Sequence, residues 1–248
     1  MLNAATTYTT QNPGIITNGL VSYIDFGNPN CWMKDTRKIQ DLVNNTTGAS
    51  GSFRTLTTMS YNANTSSLYS IAGGIVANRG ILGAASPSMR AISSGSTYCF
   101  WTNYQGPTNI ASPVFSFGTT IKAQCHILSG SSGHTGLRLI NSYLGESLYG
   151  NAAVNDGWHM WTVSSYNSGT YFGFDGSVTS MYRDGTLITG SILGYAIGTV
   201  EPDTLFSIGY LGTAAFRGLF NSWWMYDRAL TAAEVDYNYR ATKWRFGL

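Results

Sequence analysis

Paired carboxylic acids are the residues through which a protein can hydrolyse a glycosidic bond, because the reaction needs a protonated acid and an ionised carboxylate on either side of that bond. The chain contains three glutamates. Glu234 lies in a helix-capping pattern, Glu201 precedes Pro202 in a predicted turn, and the acid nearest to Glu146 is Asp156. No facing pair is expected from this spacing, and the sequence therefore predicts that the protein is not an enzyme.

The three histidines, His126, His134 and His159, form no metal-binding or nucleophile pattern. No two of them are spaced i, i+4, and the chain lacks a Gly-x-Ser-x-Gly nucleophile elbow. His159 lies beside two tryptophans in a predicted strand, where we expect a hydrogen-bonded imidazole in the core or in a groove. The Gly-rich stretch at 129–133 does not lead from a strand into a helix, so no phosphate-binding loop is expected.

One oxygen cluster near the start of the chain is compatible with calcium. Asp25, Asn28 and Asn30 supply one carboxylate and two amides around a predicted turn. A calcium ion takes about six to eight oxygen ligands, several of them anionic. These residues favour a hydrogen-bonded turn, with calcium as the alternative, and no other cofactor is expected.

The three cysteines, Cys31, Cys99 and Cys125, are far apart and odd in number, with no Cys-x-x-Cys pattern. They indicate buried, reduced thiols rather than a disulfide framework or a zinc site, and they fit assembly in a reducing cytoplasm. The N-terminus lacks the basic and apolar regions of a signal peptide. No apolar run is long enough to span a membrane.

Aromatic rings beside amides are the stronger chemical signal, because sugars stack on rings and hydrogen-bond to amides. Candidate glycan-binding residues are Trp32 with Asn30, Tyr61 with the amides that follow it, and Tyr104 with the amide before it. The alternative for each ring is that it caps the core at the end of a strand. The sequence does not choose among these candidates.

The composition is that of a β-protein with a weakly charged surface. Charged residues make up 10% of the 248 residues and the net charge is +2, whereas about a quarter of the residues in a typical domain are charged. A chain of this size buries about 70% of its unfolded surface, so its core needs no disulfide or metal. Lys and Arg are scattered along the chain, so neither nucleic acid nor a membrane is expected as a partner.

Apolar segments separated by Gly, Asn and Asp predict many short strands. The segment 97–104 is apolar on both faces, so we expect it to be central and covered on both sides. Asp184-Gly185 predicts a type I′ hairpin between strands at 178–183 and 186–188. Further strands are predicted at 20–26, 113–117, 123–128, 136–140 and 158–165, with a flexible loop at 129–135.

We predict that the stretch 206–248 organises the rest of the chain, because it contains two aromatic strand segments followed by a change of period. In the second segment, Phe220, Trp223 and Met225 share one face of a strand only if an extra residue bulges near 221–222. We therefore predict a β-bulge at that point.

A helix is predicted directly after this strand. Thr231 followed by Glu234 is a capping box, in which the hydroxyl and the carboxylate each accept a hydrogen bond from the other residue's backbone N–H. Good helix formers continue to near Lys243.

The order of these motifs resembles concanavalin A-like (laminin G-like) jelly-roll domains. The similarity rests on Ser-Ile-Gly at 207–209, Phe-x-Gly-x-Phe-Asn at 216–221, Met-Tyr at 225–226 and Asp-Arg-Ala-Leu-Thr-x-x-Glu-Val at 227–235. The opening strand with its Gly-Asn-Pro loop, Trp-His at 158–159 and Tyr-Arg-Asp-Gly at 182–185 fit the same family, whose Ile-Asp pair is Phe220-Asn221 here. The resemblance implies an all-β, two-sheet antiparallel jelly-roll sandwich over 19–248 with one short C-terminal helix, preceded by an N-terminal arm over 1–18.

The last ten residues, 239–248, look like the ending of such domains in tailed-phage structural proteins. The resemblance implies a non-enzymatic virion protein, either a head decoration (cement) protein or a compact spike, exposed on the virion surface and assembled in the host cytoplasm. Because the chain begins and ends with the domain, we expect it to dock on capsid or tail proteins and to self-associate, for example as a trimer. The alternative is a receptor-binding tail-fibre or adhesin module that binds host polysaccharide.

Overall fold

A computed structural model describes residues 14–28, 31–33, 38–43, 52–55, 60–62, 67–70, 81–84, 95–117, 123–131, 133–141, 146–166, 179–188, 190–193, 205–211 and 214–248. For the short strands between residues 32 and 84, it describes the backbone alone. In chain order the strands are β1 (Leu20–Asp25), β2 (Trp32–Met33), β3 (Lys38–Gln40), β4 (Ser52–Thr55), β5 (Ser60–Asn62), β6 (Ser67–Ser70), β7 (Ile81–Ala84), β8 (Ser96–Tyr104), β9 (Ile110–Phe117), β10 (Ala123–Ser131), β11 (His134–Asn141), β12 (Glu146–Asn151), β13 (Trp158–Ser165), β14 (Thr179–Arg183), β15 (Thr186–Leu187), β16 (Gly190–Leu193), β17 (Leu205–Ile208), β18 (Tyr210–Leu211), β19 (Ala214–Ala215) and β20 (Gly218–Tyr226).

The strands form two antiparallel layers. The eight-stranded sheet has the order β15-β14-β13-β8-β20-β6-β5, with β1 also paired to β20. The ten-stranded sheet has the order β16-β12-β11-β10-β9-β17-β7-β4-β3-β2, and β18 and β19 form a separate ribbon. Helix α1 (Ala232–Thr242) and a 3₁₀ turn (Lys243–Phe246) follow the last strand. The predicted two-sheet jelly-roll sandwich with one short C-terminal helix is confirmed.

The two sheets pack face to face over an aromatic core. Tyr98 and Trp223 of the eight-stranded sheet lie against Phe115 of the ten-stranded sheet, with ring centroids 5.0 and 4.8 Å apart. Such ring pairs contribute about 0.5–1.5 kcal/mol each beyond the area they bury. The ten-stranded sheet also contributes buried aliphatic and sulfur-containing side chains to this core: Cys125, Ile127, Leu137, Leu139, Leu148 and Ile208.

Strand β8 is central and covered on both sides, as predicted. It pairs with β13 at one edge and with β20 at the other. Its side chains alternate, so Tyr98 and Phe100 enter the core between the sheets, whereas Cys99 and Trp101 belong to a second apolar cluster on the outer face. The Trp101 Nε1–H donates to the Thr242 hydroxyl at the end of α1, at 3.0 Å.

The β-bulge predicted in the last strand is confirmed. The register of β20 against β8 shifts between Phe220 and Ser222. Phe220, Trp223 and Met225 consequently all face the core between the sheets. Trp224 belongs to the outer cluster, so this one strand supplies aromatic rings to both sides of its sheet.

Helix α1 begins at the predicted capping box and closes the outer cluster. The Glu234 N–H donates to the Thr231 hydroxyl, while the Thr231 N–H donates to the Glu234 carboxylate at 2.9 Å. Hydrogen bonds from Arg228, followed by those from Thr231, outweigh partial burial and lower the pKa of Glu234 to about 2. The helix ends at Thr242, next to the predicted end. No helix in the described part of the chain is long and apolar enough to cross a membrane.

The predicted N-terminal arm is described only from Gly14 onward, and this piece packs against the domain. Ile15 is buried in the outer cluster. The Ile16 N–H donates to Asn238 Oδ1 at 2.8 Å, and the Tyr226 hydroxyl donates to the Ile16 carbonyl at 2.9 Å. Residues 15 and 16 therefore belong to the packed structure, and residues 1–13 lie outside the described ones.

The predicted flexible loop at 129–135 is wrong, because the chain forms a continuous hairpin there. Strand β10 runs to Ser131 and β11 starts at His134. Gly130 and Gly133 have φ angles of 74° and 77°, which glycine adopts without steric strain. The two strands therefore extend almost to the turn, and the other predicted strands are confirmed to within a few residues.

A buried ion pair joins the end of β1 to the 3₁₀ turn. Both terminal nitrogens of Arg245 donate to the Asp25 carboxylate, at 2.7 and 3.0 Å. The two side chains are only 15% and 8% exposed. The Tyr23 hydroxyl and the Gly27 N–H donate to the same carboxylate at 2.8 Å each. Removing one member of such a pair leaves the other charge buried without compensation.

Asp25→Asn is expected to lower the free energy of unfolding by about 3 kcal/mol, because Arg245 would keep its charge in a poorly solvated site. Urea unfolding followed by tryptophan fluorescence measures this change. Asp236→Asn is the matched control, since it breaks an exposed pair with Arg240 and should cost less than about 0.5 kcal/mol. Equal effects of the two substitutions would contradict the structural role of the buried pair.

Candidate binding surface

The acids do not form a facing pair in the described part of the chain. Glu234 is held in the capping box and accepts from Arg228 at 2.6 Å. Glu146 pairs in register with Asn141, and its side chain lies outside what the structure describes. Glu201 lies outside the described residues.

A charged network surrounds His159 at the end of β13. Its two ring nitrogens lie 2.7 Å from carboxylate oxygens of Asp156 and Asp184, and Arg183 Nη2 lies 2.6 Å from Asp156. The imidazole fills the space between the two carboxylates, which leaves no room for a sugar ring there. The hydrogen-bonded imidazole predicted for His159 is confirmed, and the network joins the loop before β13 to the β14–β15 hairpin.

The electrostatics of this network also differ from those of a glycosidase. Burial acts to raise the pKa of Asp156, but hydrogen bonds from His159 and Arg183 outweigh it and hold that pKa below its ordinary value. A general acid for glycoside cleavage needs the opposite shift, because it must keep its proton near neutral pH. The cluster therefore favours the ionised form of the Asp156 carboxylate.

The oxygen cluster considered for calcium forms a hydrogen-bonded turn around an arginine. Both carboxylate oxygens of Asp25 accept from Arg245. The Asn28 N–H donates to the Asp25 carbonyl at 3.0 Å, and Asn30 lies outside the described residues. Within the described ranges, no group of three or more His, Cys, Asp and Glu side chains could hold a metal ion.

Of the residues predicted to bind glycan, the structure describes the side chain of Tyr104. Tyr104 is 3% exposed, and its hydroxyl donates to the Pro107 carbonyl at 3.1 Å, so its ring caps the core and is not available for stacking. Trp32 pairs in register with Ile39, and Tyr61 pairs with Leu68. The side chains of Trp32 and Tyr61, and all of Asn30, lie outside what the structure describes.

A different set of polar residues meets on the outward face of the ten-stranded sheet. His126 on β10 lies opposite Arg138 on β11, which lies opposite Tyr149 on β12. Their chain neighbours Ile127, Leu139 and Leu148 point into the core, so these three side chains point away from it. Gln124 and His134 occupy outward positions on the same strands. We call these five residues, Gln124, His126, His134, Arg138 and Tyr149, the polar face.

His126 is a buried member of the polar face. It is 7% exposed, and its Nε2 lies 3.0 Å from Gln124 Oε1. Its Nδ1 is buried and has no hydrogen-bond partner within the described part of the chain. Burial, followed by the nearby charge of Arg138, lowers the pKa of His126 to about 4. The imidazole is therefore neutral at pH 7.

The Tyr149 ring contacts the His134 ring and the Arg138 guanidinium. The His134 ring stacks on the tyrosine ring with centroids 4.0 Å apart and an interplanar angle of 19°. The Arg138 guanidinium carbon lies 5.5 Å from the centroid of the same ring, within the range of a cation–π contact. These contacts fix Arg138 and His134, both half-buried, at the rim above the buried His126.

The sequence analysis missed the polar face because it treated 129–135 as a loose loop. A tight turn centred on Ser132 would have predicted the pairing of His126 with Arg138, because each lies six residues from that turn. The arrangement offers guanidinium, imidazole and amide groups on a rigid sheet. Those groups hydrogen-bond to hydroxyl and carboxylate groups of a ligand.

No protein-family model matches the sequence, and no curated protein matches it. Its sandwich is nevertheless shared with solved structures. The Trypanosoma rangeli sialidase superposes with a TM-score of 0.62 at 14% identity, covering 93% of this chain and 34% of the sialidase. The present chain thus spans about a third of that enzyme.

Two further structures match over similar lengths of this chain. Domain 4 of AbnA, a GH43 extracellular arabinanase from Geobacillus stearothermophilus, solved in complex with arabinotriose, gives a TM-score of 0.57 at 15% identity, covering 88% of this chain and 96% of that domain. The binding domain of Paraclostridial Mosquitocidal Protein 1 gives 0.53 at 13% identity, covering 89% of this chain and 52% of that one. At these identities the similarity is one of fold.

The buried His126 is expected to make stability depend on pH. Because the folded-state pKa of about 4 lies below the ordinary 6.5, the unfolded chain binds more protons between these values. The contribution of neutral His126 to the free energy of unfolding is complete above about pH 6.5 and falls by about 3 kcal/mol by pH 4. Urea unfolding at pH 7 and at pH 4.5 measures it. In His126→Gln, the loss of unfolding free energy between pH 7 and pH 4.5 that is due to His126 should vanish. Ser116→Ala on the same sheet removes no titrating group, so that variant should keep this loss. An unchanged slope in His126→Gln would contradict the assignment.

Proposed function

We propose that this protein is a non-enzymatic carbohydrate-recognition module that binds glycan on the polar face of its ten-stranded sheet. The observation that carries the proposal is the half-buried guanidinium of Arg138, which the Tyr149 ring holds on a rigid sheet beside the half-buried His134 and the buried His126. Sites held by sheet strands lose little entropy when a ligand binds, because their side chains are already ordered.

The fold neighbours support this class of function. Domain 4 of AbnA was solved with arabinotriose bound, so a sandwich of this kind can hold a short oligosaccharide. The sialidase and the arabinanase are glycan-acting proteins by name. The non-enzymatic part of the proposal rests on the acids described above, which are engaged in a capping box, in the His159 network and in the pair with Arg245.

A second candidate function is supported by the closing segment of the chain. Residues 239–248 resemble the ending of such domains in structural proteins of tailed phages. In this candidate the protein is a head decoration (cement) protein or a compact spike on the virion surface, docked on capsid or tail proteins and self-associated. The two candidates are compatible, since a virion protein that binds host polysaccharide would be an adhesin.

Arg138→Gln is expected to weaken glycan binding at least about tenfold, because a hydrogen bond from a charged donor is worth about 1.5–3 kcal/mol. A glycan array would identify ligands for the unmodified chain, and calorimetry with the best of them would compare the variants. Arg240→Gln is the matched control, since Arg240 lies on α1 with its side chain 72% exposed. The proposal is abandoned if no glycan binds, or if Arg138→Gln and Arg240→Gln behave alike.

The virion candidate predicts how many copies accompany each particle. A decoration protein should be present in hundreds of copies in purified particles, whereas an adhesin should be present in few. Gel densitometry against a capsid protein of known copy number measures this ratio. Absence of the protein from purified particles would rule out both of these virion roles and would leave the recognition module unaffected.

A further inference from the structure

Helix α1 and the 3₁₀ turn present two aromatic rings to solvent on the face opposite the core. The inward face is buried at Val235, Asn238 and Thr242. On the outward face, Tyr237 and Trp244 are 51% and 67% exposed, and they are seven residues, or about two helical turns, apart. A helix at the surface of a single chain usually carries polar residues on its solvent side. The packing of one chain therefore does not account for these two rings.

The exposed part of Trp244 is apolar, because the single polar atom of its indole is already used. Its Nε1–H donates to the Ala241 carbonyl at 2.8 Å. Leu248 is 51% exposed, and its N–H donates to the Lys243 carbonyl at 3.4 Å. Of the six large apolar side chains exposed in the described part of the chain, three thus lie in the last twelve residues. Such a grouping marks an interaction site. We call Tyr237, Trp244 and Leu248 the α1 face.

Two charged residues accompany the rings at the same spacing. Asp236 precedes Tyr237 and Lys243 precedes Trp244, so the acid and the base are also seven residues apart and lie on one side of the helix. The Asp236 carboxylate lies 2.8 Å from Arg240 Nη2, and its side chain is still 39% exposed. Lys243 is half-buried. Along the helix axis, an acid and a tyrosine therefore come first, followed by a base and a tryptophan.

This order is self-complementary when two copies meet with their helices antiparallel. A two-fold axis places the same patch on both copies, so positions equally far before and after the axis come together. With the axis near Arg240, Asp236 meets Lys243 of the other copy, and Tyr237 meets Trp244 of the other copy. Each of these contacts forms twice. Parallel helices would instead set each acid against the same acid.

We propose that the chain self-associates as a two-fold dimer through the α1 face, with the two α1 helices antiparallel. The occupant is a second copy because the charges and the rings, two separate features, are complementary about the same point of the helix. An anionic membrane surface fits less well, since the exposed carboxylate of Asp236 flanks the rings. The proposal goes beyond glycan recognition and does not require it.

The position of α1 also determines what such a dimer presents. The helix covers the outer face of the eight-stranded sheet, whereas the polar face lies on the outward side of the ten-stranded sheet. Dimerisation through α1 therefore leaves both polar faces uncovered. A contact of one helix per copy is smaller than the about 800 Å² per partner of a standard interface, so we expect a dissociation constant of roughly 1–100 μM.

Sedimentation velocity of the full chain between about 1 and 300 μM measures this association, and the sedimentation coefficient should rise from that of a monomer to that of a dimer. Trp244→Ala should weaken the dimer at least about tenfold, because each dimer loses two interface rings. Tyr166→Ala is the matched control, since Tyr166 is 59% exposed and lies after β13, outside α1. That variant should leave the dissociation constant unchanged. Circular dichroism verifies that each variant is folded.

Charge exchange tests the antiparallel arrangement. Asp236→Lys and Lys243→Glu should each weaken the dimer about tenfold, because like charges then face each other across the two-fold axis. A chain with both substitutions again sets an acid opposite a base, so it should recover most of the lost affinity. If the double variant is no tighter than the two single variants, the antiparallel arrangement is wrong.

Other outcomes overturn the dimer itself. A chain that stays monomeric at about 300 μM, or that forms a trimer, contains no two-fold pair of α1 helices. A dimer that Trp244→Ala and Tyr166→Ala affect equally uses another surface. A monomer that binds vesicles of anionic phospholipid through Trp244 would identify the α1 face as a membrane contact. All of these results are distinguishable from failure of the proposed function, because a glycan array measures that separately.

Discussion

The whole sandwich depends on a single strand that is apolar on both of its faces. Strand β20 has no exposed residue, and its bulge between Phe220 and Ser222 turns Phe220, Trp223 and Met225 toward the ten-stranded sheet and Trp224 toward the outer cluster. The same position divides the far edge of the strand, since β6 pairs before it and β1 pairs after it. One inserted residue therefore sets both the side-chain directions and the neighbours of the central strand.

The apolar residues on both faces of β20 determine which sheet surface is available for binding. The outer face of the eight-stranded sheet must be covered because its side chains are large and apolar, and α1 with Ile15 covers it. The capping box, the hydrogen bond from Trp101 to Thr242 and the ion pair of Arg245 hold that cover in place. On the ten-stranded sheet, the outward positions of β10, β11 and β12 include His126, Arg138 and Tyr149, of which Arg138 is half-buried. That sheet is therefore the one on which we propose recognition.

Features set by neighbouring residues were predictable from the sequence, and features set by long-range pairing were not. The bulge follows from the spacing of Phe220 and Trp223, and the helix start follows from Thr231 and Glu234. The polar face required knowledge of the strand register, because it depends on the pairing of His126 with Arg138 and of Arg138 with Tyr149. Tyr104 was misjudged for the same reason, since its burial against Phe216 depends on a distant segment.

The three cysteines of the chain are buried. Cys125 faces the interior between the layers, and Cys99 lies on the opposite side of the eight-stranded sheet in the cluster closed by α1, where burial raises its pKa to about 12. A thiol reagent can reach Cys99 only when the helix lifts away, and Cys125 only when the layers part. The rates at which the two thiols react would therefore report two different local opening motions of the native protein.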